Sequence, residues 1–304
     1  MNSSKKELRD LSSSKNFKKV LSKTVASVYT AHTYGEAIRG HALPRRDSGP
    51  DKARCRFMEE WRFIDFGLVD IREMMAMDEA ILKGDGGNTF FFWTPKKSII
   101  LGFFQKADVE LNLANCRDYT ITRRISGGGI AFSDDRGRQI NYGVVGTIDN
   151  CQFPLDIIES YKQICGVIID TLIDYGLDAA FRPINDVVVG GRKISGNAQT
   201  RWEGKLLQNG TLLLDFDIEE MLRISNIPAE KFLDKKIASI REGLTWLDRE
   251  LGEQRDMEEI KNIMKRKFEE RFHVRLKTGT LSQGEKALTN TLLPKYYSHE
   301  WTYR

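Results

Sequence analysis

One lysine in this chain stands where a side chain could act on a reacting group. The stretch NDVVVGGRKISGNAQTR, residues 185–201, sets Lys193 between a Gly-Gly pair and a Ser-Gly, with Asn185 and Asp186 heading the apolar run before it. A lysine ammonium is a compact charge suited to a developing oxyanion or phosphate, and an aspartate can hold a magnesium ion. A hairpin carrying a solvated lysine accounts for the same residues. A second group is RRISGGG, running from Arg123 and Arg124 through Ser126 to Gly127, Gly128 and Gly129. Consecutive glycines let backbone N–H groups approach an anion, and two arginines beside them neutralise phosphate or carboxylate. The spacing fits neither a P-loop nor a GxGxxG fingerprint. Two weaker signals are Gln105, which ends GFFQ and could donate to a ligand, and LLQNGTLLLDFD, which reads as a hairpin around an Asn-Gly turn.

These residues need elements to hold them. WRFIDFGLVD suggests an entering strand, and IREMMAMDEAILKG has helical apolar spacing closed by Gly84. NTFFFWTP and KSIILGFFQ are dense apolar runs that read as strands. ADVELNLANCRDY reads as a helix, TITRRISGGGIAFSD as a strand entering a glycine loop, and RQINYGVVGTI as a strand. In LDIIESYKQICGVIIDTLIDYGL one broad apolar stripe marks a long helix stopped by Gly176. From Asp186 to Asp217 several strands are expected, separated by Gly-Gly, Glu-Gly and Asn-Gly turns. The last fifty residues return to helix, notably DMEEIKNIMKRKFEERF. Strands and helices mix without regular βαβ alternation, so the predicted class is α+β.

The whole chain excludes several functions. Its 304 residues carry a net charge of only +4, much of it in the first sixty residues, so no nucleic-acid footprint spreads over the fold. Cys55, Cys116, Cys151 and Cys165 form no CxxC pair, which argues against zinc and a disulfide framework and for a reducing compartment. No apolar run reaches the length of a spanning helix, so no membrane partner is expected. Residues 1–58 are basic and Ser-rich, with Phe17, Val20, Leu21, Thr24 and Val28 able to share a helix face. They read as an unstructured or targeting extension, and residues 59–304 as one catalytic domain. The expected location is the cytoplasm, or the mitochondrial matrix if that extension is a transit peptide.

Taken in order, GFFQKADVELN, TRRISGGGIAFSD, RPINDVVVGGRKISGNAQTR and LLQNGTLLLDFD resemble the catalytic domain of lipoate–protein ligase A, in the biotin/lipoate protein ligase superfamily. DIREMMAMDEAIL and SIREGLTWL resemble the family's opening helix and a later core segment, so the resemblance spans roughly residues 60–304. It implies a mixed or antiparallel sheet flanked by helices, of the class II synthetase-like kind. It implies ATP-dependent activation of lipoate or octanoate to an acyl-adenylate. The acyl group then passes to a lysine of a lipoyl domain, in the E2 subunit of 2-oxoacid dehydrogenases or the glycine-cleavage H protein. By the same resemblance Lys193 is the catalytic lysine. Arg123, Arg124, Ser126, Gly127, Gly128, Gly129, Ile130, Ala131 and Phe132 contact nucleotide or lipoate. Asn185 and Asp186 lie by the adenylate, with Asp186 on Mg2+. Two departures stand out: Ser133 and Asn209 occupy positions where the family often has histidine. The C-terminal LPKYYSHEWTYR resembles the end of ligases without an accessory domain, which implies a separate accessory subunit.

Two alternatives stay open. One is an octanoyl or lipoyl transferase drawing on acyl carrier protein, which needs a nucleophilic cysteine facing the lysine. No cysteine precedes NDVVVGGRK where cysteine-dependent relatives place theirs. The other is a non-catalytic protein that binds lipoyl domains.

Overall fold

The computed structural model describes residues 58–304 apart from 135, 150–151 and 228–232. The extension read over residues 1–58, except Met58, lies outside the described residues, as do Cys55 and Cys151.

The chain runs β1 (Glu59–Val69), α1 (Ile71–Lys83), β2 (Thr89–Pro95), β3 (Ser98–Leu101), α2 (Ala107–Glu110), β4 (Thr120–Arg123), β5 (Ala131–Ser133) and β6 (Gln139–Thr147). It continues with α3 (Ile157–Asp174), β7 (Ala179–Arg182), β8 (Asp186–Val189), β9 (Arg192–Trp202) and β10 (Lys205–Leu213). The last part is α4 (Ile218–Ile224), α5 (Leu233–Gly243), α6 (Leu247–Leu251), α7 (Met257–Phe272), β11 (Val274–Thr278), α8 (Gln283–Tyr297) and α9 (His299–Tyr303). Eight strands form one sheet in the order β11-β1-β2-β6-β10-β9-β8-β7, and β4-β3-β5 form a second. β11, β1 and β2 are parallel; from β2 to β7 every pair is antiparallel. The architecture is α+β, as expected from the mixed pattern.

Period-two alternation sorts the side chains of the large sheet. Phe90 and Phe92 of β2 face one side, where α3 and α7 bring Ile164, Ile168, Met264 and Phe268. Phe91 and Trp93 face the other, against Met74 and Ile81 of α1 and Tyr296 of α8. Both helix-covered faces are apolar at β2, so TFFFWTP reads as a nearly continuous hydrophobic run, whereas β9 and β10 carry buried polar residues such as Ser195, Asn197 and Gln208. Burying a Phe or Met side chain contributes about 1.5–3 kcal/mol. α1 begins where Asp70 accepts from Arg72 N, and α3 where Asp156 accepts from Glu159 N; both caps satisfy first-turn donors. Among the described residues no helix is long and apolar enough to cross a membrane.

Three expectations change. Asn209-Gly210 is not a turn but the middle of β10. The hairpin turn lies earlier, at Glu203-Gly204, where both residues have positive φ (44° and 78°). Gly210 is glycine for a different reason: a Cβ there would fall on the Asn197 side chain and the Tyr142 ring. ADVELNLANCRDY is one helical turn plus a 3-10 turn (Leu113–Cys116), not a helix. Leu111 bridges Ser225, and Asn112 N donates to Ile224 O at 2.9 Å, which draws the middle of that segment into extended pairing. The helical C-terminal region also contains β11, added parallel to β1. Its alternation over five residues is too short to stand out beside α7.

Candidate active site

A cleft opens where the small sheet meets the face of the large one. Its floor is β6, β9 and β10, and one wall is the glycine loop between β4 and β5. Lys193, Arg124, Gly128, Gly129, Ile130, Ala131, Phe132 and Asn185 all line it, which brings together most of the residues singled out from sequence.

Lys193 reaches the cleft through a break in alternation. On β9, Ser195 and Asn197 pair with Leu212 and Gly210, whose side of the sheet is the α3 core. Strict alternation would send Lys193 to that same buried side. Instead the partners step from Val187↔Ser195 to Val188↔Lys193, leaving Ile194 as an extra residue. Ile194 joins the α3 core and Lys193 turns to the cleft with Gly196 and Ala198. A bulge of this kind re-aims a side chain beside a functional site. The lysine's backbone is also held: Thr245 N donates to Lys193 O at 2.8 Å.

The Lys193 ammonium lies 2.6 Å from Asp186 Oδ1, and Arg182 Nη2 donates to Asp186 Oδ2 at 2.9 Å. Two cations on one carboxylate leave the cluster net positive, and Lys193 is only 5% exposed. Asp186 acts here as a holder of cations. It does not fit a magnesium site by itself, because both its oxygens face positive groups. Among the described residues no three His, Cys, Asp or Glu side chains gather to hold a metal. Asn185 interlocks with β9: its Nδ2 donates to Asn197 O, and Asn197 Nδ2 returns a bond to Asn185 O at 2.9 Å. Tyr142 Oη donates to Asn197 Oδ1 and fixes that amide.

The two arginines of RRISGGG part company at the end of β4, where Arg123 is the last strand residue and Arg124 the first beyond it. Arg124 faces the cleft and spans the loop, donating to Gly127 O and Gly129 O, each at 2.7 Å. Arg123 points away. Its guanidinium is buried and donates to six carbonyl oxygens, of Gly102, Phe103, Gln105, Trp301, Thr302 and Arg304. Burial, then the neighbouring Arg304 charge, lower its pKa to about 10. Arg123 therefore has no donor left for a ligand, and the expectation of a contact there is corrected to a structural role. Ser126 and Gly127 are also outside the cleft lining; Ser126 Oγ is buried without a hydrogen-bond partner. Gln105 serves the loop rather than a ligand: its Oε1 accepts from Gly102 N at 2.8 Å. Gly102 lies so close to the loop that a Cβ would fall on Gly128 O. Gly102→Ala is expected to push the loop into the cleft and cut activity at least tenfold, with a stability loss of about 1–3 kcal/mol. Activity and melting curves of the purified variant check this; wild-type activity would contradict it.

The replaced histidines end up in different places. Ser133 faces Gln139, whose Nε2 donates to its hydroxyl, and Ser133 is not in the cleft lining. Asn209 is in the lining, and its Nδ2 donates to Asp78 Oδ2 at 3.1 Å. Burial holds the Asp78 carboxyl well above its ordinary range. Asp78 was not singled out from sequence, although an acid on the Met74–Ile81 apolar stripe of α1 is the signal that could have found it. Arg182, Asn197 and Asn141 were missed as well. Each is a polar side chain at a strand position otherwise read only as apolar or connecting.

Apart from Lys193 and Arg124, the cleft is walled largely by apolar groups such as Met75, Trp93, Ile100, Leu213, Phe216 and Met221. Two cations on the lining and an apolar body suit a ligand with a polar, electron-rich head and a hydrocarbon tail. The octanoyltransferase LipM of Halalkalibacterium halodurans is 29% identical over 279 residues, covering 81% of this chain and all of the relative. A bi-partite lipoate protein ligase of Thermoplasma acidophilum, studied with its E2 lipoyl domain, superposes with a TM-score of 0.73. It shows 27% identity and covers 81% of this chain and 97% of its own. A lipoate-protein ligase A bound with ATP gives a TM-score of 0.70 at 25% identity, covering 80% and 98%. The profile of the lipoyl protein ligase A/B catalytic domain matches residues 70–269, so this chain belongs to that family.

Proposed function

We propose that this chain transfers a lipoyl or octanoyl group from an activated donor to the side-chain amine of a lysine in a lipoyl-domain protein. The E2 subunit of 2-oxoacid dehydrogenases and the glycine-cleavage H protein are the acceptor classes. The observation that carries the reading is a buried ammonium, Lys193, turned into an apolar cleft and anchored by Asp186 and by its own backbone. In the reaction the acceptor's neutral amine attacks the acyl carbonyl carbon. Negative charge grows on the carbonyl oxygen, the leaving group departs with the electron pair of the broken bond, and the amine's proton passes to it or to solvent. A cation preorganised in a dry site stabilises that oxygen far better than water does. Arg124 and the Gly128-Gly129 backbone offer positive groups for the head of the donor.

For the donor, the name of the relatives, octanoyltransferase LipM, supports transfer of an already activated octanoyl group, which we take as an acyl thioester. A second reading, ATP-dependent formation of an acyl-adenylate, is favoured by the two described cysteines. Neither described cysteine lines the cleft. Cys165 is buried on α3 behind Gln208, and burial pushes its thiol up to about 12. Such a thiol is protonated near neutral pH and is a poor nucleophile. With a thioester donor, neither described cysteine carries the acyl group on its way to the acceptor amine.

The test offers a lipoyl domain either octanoyl-carrier thioester without ATP, or free octanoate or lipoate with ATP and Mg2+, the latter also with an accessory ligase subunit. Transfer from the thioester is the expected result. Modification that appears only with ATP and free acid replaces this reading by the second. Cys165→Ala is expected to retain transfer; its loss, in a folded variant, would make Cys165 a covalent carrier.

A further inference from the structure

Two donors on the cleft lining have no hydrogen-bond partner among the described residues: Trp93 Nε1 and Asn141 Nδ2. Both residues are 2% exposed. They stand side by side, since Trp93 of β2 is the register partner of Asn141 of β6. Asn141 in turn pairs with Thr211 of β10, and Thr211 with Gly196 of β9. Thr211 Oγ1 donates to Asn141 Oδ1 at 2.7 Å, which orients the amide and leaves Nδ2 as the outward group. Neighbouring strands lie about 4.8 Å apart, so Asn141 is roughly 10 Å and Trp93 roughly 14 Å across the sheet from the strand of Lys193. An acyl group whose carbonyl rests at Lys193 would bring its far end to this pair.

A buried donor facing hydrocarbon loses its hydration and gains nothing in return. The methyl end of an octanoyl chain offers no acceptor. The dithiolane ring of a lipoyl group offers two sulfur atoms, which accept hydrogen bonds weakly. We infer that Asn141, assisted by Trp93, is a specificity-determining residue that favours an acyl group with acceptor atoms at its far end, the lipoyl group, over a plain alkyl chain. The inference rests on the acyl-transfer reading above and names the acyl group that site takes.

The test is a competition. The full chain receives lipoyl and octanoyl groups in equal amounts, on whichever activated donor it accepts, with one lipoyl domain; intact mass of the acceptor gives the product ratio. The wild type is expected to favour lipoyl by roughly tenfold. Asn141→Leu keeps the volume and removes the donor, and should bring the ratio to about one or invert it. Trp93→Phe should shift the ratio in the same direction by less. A wild type that favours octanoyl, or one ratio common to all three proteins, overturns the inference. If neither group is transferred, the catalytic reading fails. Calorimetric titration of the full chain with free lipoate and free octanoate then decides the specificity separately, against the same expected ratio.

Discussion

Lys193→Ala lowers acyl transfer to a lipoyl-domain lysine by roughly 100- to 1000-fold, the loss that follows removal of one preorganised group at a developing oxyanion. The variant stays folded, because Asp186 keeps Arg182 as its partner at 2.9 Å and the backbone of residue 193 keeps its bond from Thr245. The loss falls on kcat more than on KM, since the ammonium interacts most strongly with charge that exists only in the transition state. Lys193→Arg preserves the charge but not the shape. The planar, bulkier guanidinium cannot reproduce the compact ammonium's position 2.6 Å from Asp186 Oδ1, so only partial activity returns. Single-turnover transfer rates, with a melting curve beside each, separate a catalytic defect from a folding defect. A Lys193→Ala protein that transfers at the wild-type rate contradicts the assignment.

Arg123→Ala produces the opposite signature, a large loss of stability. Six carbonyl oxygens converge on that guanidinium, three from residues 102–105 and three from residues 301–304. Removing it strands buried acceptors and detaches the C-terminal segment from the strand that leads into the glycine loop. The expected cost is about 3–5 kcal/mol, the range seen when one partner of a buried charged network is deleted. Arg123→Lys recovers little of it, because one ammonium cannot reach six oxygens in a plane. Urea unfolding measures this as a lower midpoint. Arg124→Ala, by contrast, is an activity variant: it frees Gly127 O and Gly129 O at the cleft wall, where a bound ligand or water can meet them, and removes a cleft cation.

These two residues show where a sequence stops being readable. Arg123 and Arg124 look equivalent as letters, yet Arg123 ends β4 facing away from the cleft and Arg124, just beyond it, lines the cleft. Which one does is decided by tertiary contacts with residues 102–105 and 301–304 that no local pattern contains. Lys193 was legible as a chemical group, because glycine pairs and an Asn-Asp dipeptide frame it. Its direction was not, because the register step at Ile194 appears only when β8 and β9 pair. Most strands, α1 and the long helix α3 were legible from period and turn signals, but β7 and β11 were not. The Asn209-Gly210 turn was misread for a physical reason: the dipeptide that favours a tight turn also provides a position without a Cβ, and Tyr142 and Asn197 need that space. Asp78 and Asn141 escaped notice because each is one polar residue in an apolar stretch, and their roles come from neighbours far away in sequence.

The central claim is that this cleft makes an amide between a medium-length acyl group and an acceptor lysine. Intact-mass measurement of a purified lipoyl domain, after incubation with the full chain and each activated donor, tests it most directly. The account predicts that the acceptor gains the mass of one acyl group on its target lysine with the wild-type chain and stays unmodified with Lys193→Ala. An acceptor that binds the chain yet keeps its original mass with every donor would contradict the account and leave a protein that only holds lipoyl domains.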